Sequence, residues 1–395
     1  MVKRTMRRVN TITFLNNFVS GALTLLIPLM LLAQNVSLAE IGMVLSVLPI
    51  IFLVVRLFFA AAADRIGWSK IFLLINCPAT FISTLLYYVA TSLPTFLAGK
   101  FVEGLRESSY WAVSRTAIFH LSPKREGNEA TRTNSIIWLA TAIGSAAAGI
   151  GIAYLGFSST LAILLLASAI TFFPAALLWK TGRRAIMPKT GNLLSMLNPK
   201  GKGKTFWLVS VALMLYSLAT YPLVTLLLPV FMDKQLGYSY LSIGLLFMLF
   251  NLIASATTFL TLKSPLNFKR ATLQAIMGLA TTFFMVNSGM LFPAFLLTLA
   301  FVRGLSIAFF EHLLVKVTKD SKQVSVDIGL LHVPMRFVEF ISVLIAGFLT
   351  QAVGYFPIFA VAGISFAVFS FLSLSMLATN KGNMRDTSPP KCFCQ

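Results

Sequence analysis

The sequence predicts an all-α polytopic membrane protein, with twelve transmembrane helices in two pseudo-symmetric six-helix bundles. Three observations lead there. Of its 395 residues 57% are hydrophobic and 11% charged, with mean hydropathy +0.84, outside the range of ordinary soluble domains. The net charge of +20 is laid out by topology: with the amino terminus inside, the basic residues gather in the N-tail, the even-numbered loops, a central loop and the C-tail, and the external loops keep Lys234 alone. That is the positive-inside pattern, which sets orientation and needs no nucleic-acid partner. Third, the chain repeats itself. "FVEGL" at 101–105 returns as "FVRGL" at 301–305, "IPLMLLAQ" at 27–34 as "LPVFMDKQ" at 228–235, "EIGMVL" at 40–45 as "SIGLLF" at 242–247, and "LGFSSTLAIL" at 155–164 as "GYFPIFAVAG" at 354–363. The order is conserved and the spacing nearly constant, so six helices have been duplicated.

The apolar spans fall at 11–33, 39–60, 71–91, 94–119, 134–155 and 158–179, then at 206–230, 238–262, 271–289, 292–315, 330–353 and 356–378. Each is long enough, at about 1.5 Å per residue, to cross roughly 30 Å of hydrocarbon. The first run exceeds a signal peptide and lacks a small-residue cleavage site, so it reads as a permanent helix. The expected domains are an N-terminal bundle (1–180), a basic cytoplasmic linker (181–205), a C-terminal bundle (206–380) and a disordered cytoplasmic tail (381–395). Both termini are expected in the cytoplasm and the protein in the plasma membrane, as a monomer. Parallel six-helix halves are a transporter architecture, with the site between them near the midplane.

Other classes fit poorly. "GKT" at 203–205 ends like a phosphate-binding loop, but Asn198 stands at the leading glycine and no strand surrounds it, so no ATP site is expected. Cys77 lies in a span and Cys392 and Cys394 in the tail, too few for a disulfide framework. His120, His312 and His332 are scattered near cytoplasmic ends, without ligand spacing. No metal, cofactor or enzymatic nucleophile is therefore expected.

"AAAADRIGWSK" at 60–70 resembles the loop signature G-x-x-x-D-R-x-G-[RK]-[RK] of the major facilitator superfamily. Ala60 replaces the first glycine, and Trp68-Ser69 the basic pair. The resemblance implies alternating access between two halves and a gating role on the cytoplasmic side for Asp64, Arg65, Gly67 and Lys70. "GKFVEG" resembles the R-x-x-x-G element of that family's fourth helix, with Lys100 for Arg and Gly104 in register. "AIGSAAAGIG" resembles the antiporter element G-P-x-x-G-G, with Ser145 in place of Pro.

The fourth span poses the chemical question. "GKFVEGLRESSYW", Gly99–Trp111, carries Lys100, Glu103, Arg106 and Glu107, each costing about 2.5–3.5 kcal/mol at a helix centre in lipid. At about 100° per residue the four charges, Tyr110 and Trp111 share one arc of about 140°, so a wet central cavity is the expected destination. Glu103 has Lys100 and Arg106 one turn away on either side and is expected to stay ionised as an anchor. Glu107 has Glu103 at i−4, and Arg106 at i−1 is expected to point away. Desolvation and a like-charged neighbour favour a neutral carboxyl, so Glu107 is the expected proton carrier.

Arg303 takes the place of Glu103 in the second half. Its expected partners are Glu103 or Glu107 across the cavity, a bound anionic group, or Glu339. Arg336 and Glu339 lie one turn apart, and Arg56 is expected to snorkel to the cytoplasmic face. Thr13, Asn16, Asn17, Ser20 and Thr24 form a polar stripe on the first helix, and Tyr216, Ser217, Thr220 and Tyr221 a similar one on the seventh. Either stripe suits a polar ligand or helix–helix packing. The expected function is proton-coupled export of small amphipathic compounds. Uptake of a small organic anion and a non-transporting receptor are the alternatives.

Overall fold

The computed structural model describes residues 2–66, 68–121, 126–179, 202–262, 267–318 and 324–378. Gly67, most of the linker and the 381–395 tail lie outside the described residues, so the expected linker and tail boundaries do as well. The first bundle comprises α1 (Val2–Ala33), α2 (Leu38–Ile66), α3 (68–88), α4 (Leu93–Leu121), α5 (126–155) and α6 (157–176). The second comprises α7 (204–234), α8 (Tyr240–Leu262), α9 (Phe268–Met285), α10 (Phe292–Thr318), α11 (Val324–Val353) and α12 (Phe356–Ala378). Gly156, at φ 80° and ψ 173°, separates α5 from α6.

Nine helical stretches among the described residues are long and apolar enough to cross a membrane. Thr133–Ala176 counts once among them, although Gly156 divides it. Leu93–Leu121 carries the four charges, and Phe268–Met285 opens on Lys269 and Arg270. The architecture is thus consistent with twelve crossings.

The duplication extends to local geometry. Ser37 caps α2 through a reciprocal box: its Oγ donates to Glu40 Oε2 at 2.6 Å and accepts from Glu40 N at 3.3 Å. Ser239 caps α8 in the corresponding place: its Oγ accepts from Ser242 N at 3.3 Å and lies 2.9 Å from the Ser242 hydroxyl. Gly156 (φ 80°) and Gly354 (φ 87°) make matching left-handed turns, conformations that suit glycine. Their correspondence shifts the fourth sequence pairing by one residue, because the turn glycine rather than the flanking apolar run fixes the register.

Among the described residues two helices contain π-turns. Cys77 N–H bonds to Phe72 O in α3, and Leu228 N–H to Leu223 O in α7. In each a proline follows directly, Pro78 and Pro229. A proline ring crowds the carbonyl four residues back, and widening the turn relieves that crowding.

The halves meet through α2 with α11 and α5 with α8. Both crossings are built on glycine. A Cβ on Gly149 or on Gly244 would lie 2.6 Å from the other's Cα, and one on Gly42 or on Gly347 would lie 3.0 Å from the other's Cα. At the end away from the termini one apolar cluster joins both halves, with Leu25, Leu29, Ile41 and Leu45 against Leu228, Phe231, Ile243 and Val343. Gln351 Oε1 accepts from Ala39 N at 3.1 Å there, and Phe157 meets Tyr240 edge-on at 5.4 Å. Toward the termini the cores are separate: Val9, Phe72, Tyr110 and Leu178 belong to the first half, and Phe206, Leu213, Phe309 and Leu331 to the second. The molecule is sealed at one end and divided at the other.

Replacing Gly244 with Trp should wedge the sealed end apart. In a chain freed of its own cysteines, Val224→Cys in the cavity wall is then expected to gain reactivity toward a membrane-impermeant maleimide added from the sealed side. An unchanged labelling rate would show that the glycine contact does not hold the seal.

Candidate functional site

Lys100, Glu103, Arg106 and Glu107 of α4 form one buried network. Glu103 Oε2 accepts from Lys100 Nζ at 2.7 Å and from the Tyr87 hydroxyl at 2.6 Å. Arg106 Nη2 reaches Glu103 Oε1 at 3.2 Å and Glu107 Oε1 at 2.7 Å, and donates to Ser20 Oγ at 3.2 Å. Ser20 donates to Glu107 Oε1 at 3.0 Å, and Trp111 Nε1 to Glu107 Oε2 at 3.0 Å. Arg106 therefore does not point away from Glu107. Helical spacing locates its Cα, but the long side chain bends back to bridge both acids.

Behind this layer Asn76, at the end of the α3 π-turn, donates to Arg106 O at 3.1 Å. Asn17 Nδ2 donates to Thr13 O at 2.7 Å and to the Tyr110 hydroxyl at 3.1 Å. These bonds tie α1, α3 and α4 together at mid-depth. The exposures differ in a way that matters: the Glu107 side chain is 14% exposed, Glu103 1% and Arg106 0%.

Between the halves lies a cavity of about 430 Å³, running from the seal toward the divided end. Of the residues expected around a ligand, Lys100, Glu103, Glu107, Trp111, Asn17, Ser20, Tyr216, Tyr221 and Arg303 line it. Arg106, Tyr110 and Asn16 do not; they sit buried behind the wall, because the α4 arc is wider than the cavity and its rim packs against α1 and α3.

Arg303 is not paired with Glu103, Glu107 or Glu339. Its Nη1 donates to Asn251 Oδ1 at 3.4 Å, and its guanidinium carbon lies 5.2 Å from the Trp138 ring centroid and 5.4 Å from that of Phe250. Glu339 instead takes Arg336 Nη1 at 2.6 Å and the Ser217 hydroxyl at 2.6 Å. Arg56 lines the cavity, its guanidinium carbon 5.3 Å from the Phe52 ring centroid. His332 also lines the cavity, against Phe310.

The sequence matches the profile of the Major Facilitator Superfamily over residues 9–310. The chain belongs to that superfamily. A search of curated proteins finds no match. Among solved structures it is similar to the human organic anion transporter MFSD10 (TETRAN), with 17% identity and TM-score 0.64, covering 93% of this chain and 99% of the other. It is also similar to the nucleoside transporter NupG, with 13% identity and TM-score 0.72, covering 95% and 99%. At these identities the likeness is one of fold.

The superfamily's loop motif is only partly in view. The backbone of Asp64 and Arg65 ends α2, but their side chains and all of Gly67 lie outside the described residues. Lys70 Nζ lies 5.6 Å from the Trp179 ring centroid, which ties the start of α3 to the turn after α6. Sequence reasoning missed Tyr87, Asn76, Trp138 and the cavity face of Arg336. Each is marked only by a contact with another element: Tyr87 with Glu103, Asn76 with the Arg106 carbonyl, Trp138 with Arg303, and Arg336 with the Phe52 ring.

Removing one member of a buried ion network leaves the rest uncompensated, which costs about 3–5 kcal/mol. Glu103→Gln strands Lys100 and leaves Arg106 with Glu107 alone, whereas Glu107→Gln leaves both cations on Glu103, so the thermal midpoint of Glu103→Gln in detergent should fall well below that of Glu107→Gln. Adding Lys100→Met to Glu103→Gln should recover part of the loss.

Proposed function

We propose that this protein is a proton-coupled secondary transporter that exports small amphipathic compounds by alternating access, with Glu107 as the exchangeable proton site. Membership of the superfamily and the likeness to solved transporters support the general class. The observation that carries the finer reading is the position of Glu107. Lys100, Glu103 and Arg106 of the same network are at most 4% exposed, whereas the Glu107 side chain is 14% exposed and lines a cavity shared by both halves.

Three donors converge on it: Arg106, Ser20 and Trp111 all point hydrogens at its oxygens. A proton arriving from the cavity would weaken the pull of Arg106, whose other partner, Glu103, remains. Protonation is thereby linked to the grip of α4 on α1 through Ser20. Placing the divided end in the cytoplasm follows the positive-inside charge pattern and makes this the inward-open form. The seal built on Gly149–Gly244 and Gly42–Gly347 is then the surface that must part on the way outward.

Inside-out vesicles carrying the reconstituted protein test this with a radiolabelled panel of metabolites and drugs. An acid interior should drive accumulation of a panel compound. Glu107→Gln should reduce gradient-driven accumulation to the level of empty vesicles while exchange without a gradient persists. Equal gradient dependence in the variant would remove Glu107 from this role, and accumulation driven by an alkaline interior would reverse the direction.

A further inference from the structure

Charge on the cavity wall is unevenly committed. Every described acid there has partners: Glu103 holds Lys100, Arg106 and Tyr87, Glu107 holds Arg106, Ser20 and Trp111, and Glu311 is engaged as well. Two of the cations hold carboxylates, Lys100 that of Glu103 and Arg336 that of Glu339. Among the described residues no carboxylate pairs with Arg303. Its company is neutral: Asn251 at 3.4 Å, the Tyr216 hydroxyl, and the rings of Trp138 and Phe250.

A hydrogen bond of 3.4 Å is beyond the usual 2.7–3.2 Å range for N–H to O. Nε of Arg303 is buried with no acceptor at all, although a guanidinium offers five donors in a fixed fork. Ring faces attract a cation but accept no strong hydrogen bond. An unneutralised charge in a low-dielectric site is costly unless something supplies the counter-charge.

The rings also place this group mechanically. Trp138 belongs to α5 of the first half, while Arg303 belongs to α10 of the second. The guanidinium therefore spans the seam whose two sides must separate. The wall beside it is aromatic and apolar, with Tyr216, Phe310, Phe259 and Ile307.

Resting on the transporter reading above, we propose that the substrates are amphipathic aryl monoanions, whose carboxylate or sulfonate docks on Arg303 while the ring stacks against Trp138 and the aromatic wall. The site holds uncommitted positive charge and no uncommitted negative charge, which selects an anion over a cation or a zwitterion. An acceptor on Arg303 replaces the long Asn251 contact with charge-assisted bonds, and the ligand then sits on both halves at once.

Binding is measured on the purified full-length protein in detergent by calorimetry, with 2-naphthoate as the probe. 2-Naphthylmethylamine and cyclohexanecarboxylate serve as the cationic and non-aromatic comparisons. The unmodified protein should bind 2-naphthoate at least tenfold more tightly than either. Arg303→Gln should weaken naphthoate binding at least tenfold, Arg303→Lys less, and Trp138→Ala should erase the preference for the ring over cyclohexane. Lys234→Gln, which removes a positive charge from the end of α7, outside the cavity lining, should leave binding unchanged. Tighter binding of the amine, or equal binding of all three by the unmodified protein, overturns the proposal without any variant having to fold.

The outcome separates from that of the transport reading. Anion binding lost with Arg303, but without vesicle flux, would sink transport and keep this site. Proton-driven flux of cations would do the reverse.

Discussion

Neutralising charge inside an apolar medium is the constraint on which this structure turns. Four ionic side chains within eight residues of α4 would be prohibitive in lipid if each stood alone. They survive because Arg106, fully buried, joins Glu103 and Glu107 while Lys100 and Tyr87 close the remaining positions on Glu103. The network binds α1, α3 and α4 into one unit, since Ser20, Asn76 and Tyr87 come from the neighbouring helices. What it leaves exposed is a single carboxylate edge, that of Glu107.

Duplication supplied two copies of the scaffold, and divergence gave them different chemistry. The capping serines, the turn glycines and the glycines of the seam correspond between halves. The fourth helices do not correspond in charge: Glu103 has Arg303 as its counterpart, and Glu107 has Ile307. Glu103 and Glu107 line the cavity from the first half, while the second contributes Glu311, Arg336 and a guanidinium, that of Arg303, resting on aromatic rings. A symmetric fold has produced two chemically different walls.

The seam follows from packing at close range. Where glycines face each other the backbones approach within contact distance, and the apolar cluster around them closes one end. Such a contact has broad van der Waals complementarity but few directional bonds, with Ala39–Gln351 as one of them. It is an interface that can part without breaking an ion network. Among the described residues the buried ion pairs do not cross between halves: Lys100, Glu103, Arg106 and Glu107 pair within the first, and Arg336 with Glu339 within the second.

The sequence by itself determined the membrane class, the duplication, the segregation of loop charge and the arc of polar groups on α4. Those properties are set by composition and by the fixed period of a helix, which needs no partner to be read. Tertiary structure alone decided which charges meet. Arg106 turned back onto Glu107, Arg336 took Glu339, and Arg303 was left to Asn251 and two rings. Long side chains reach about as far as the separation between packed helices, so their pairing depends on the distances between elements, and the spacing of residues along one chain does not encode those distances.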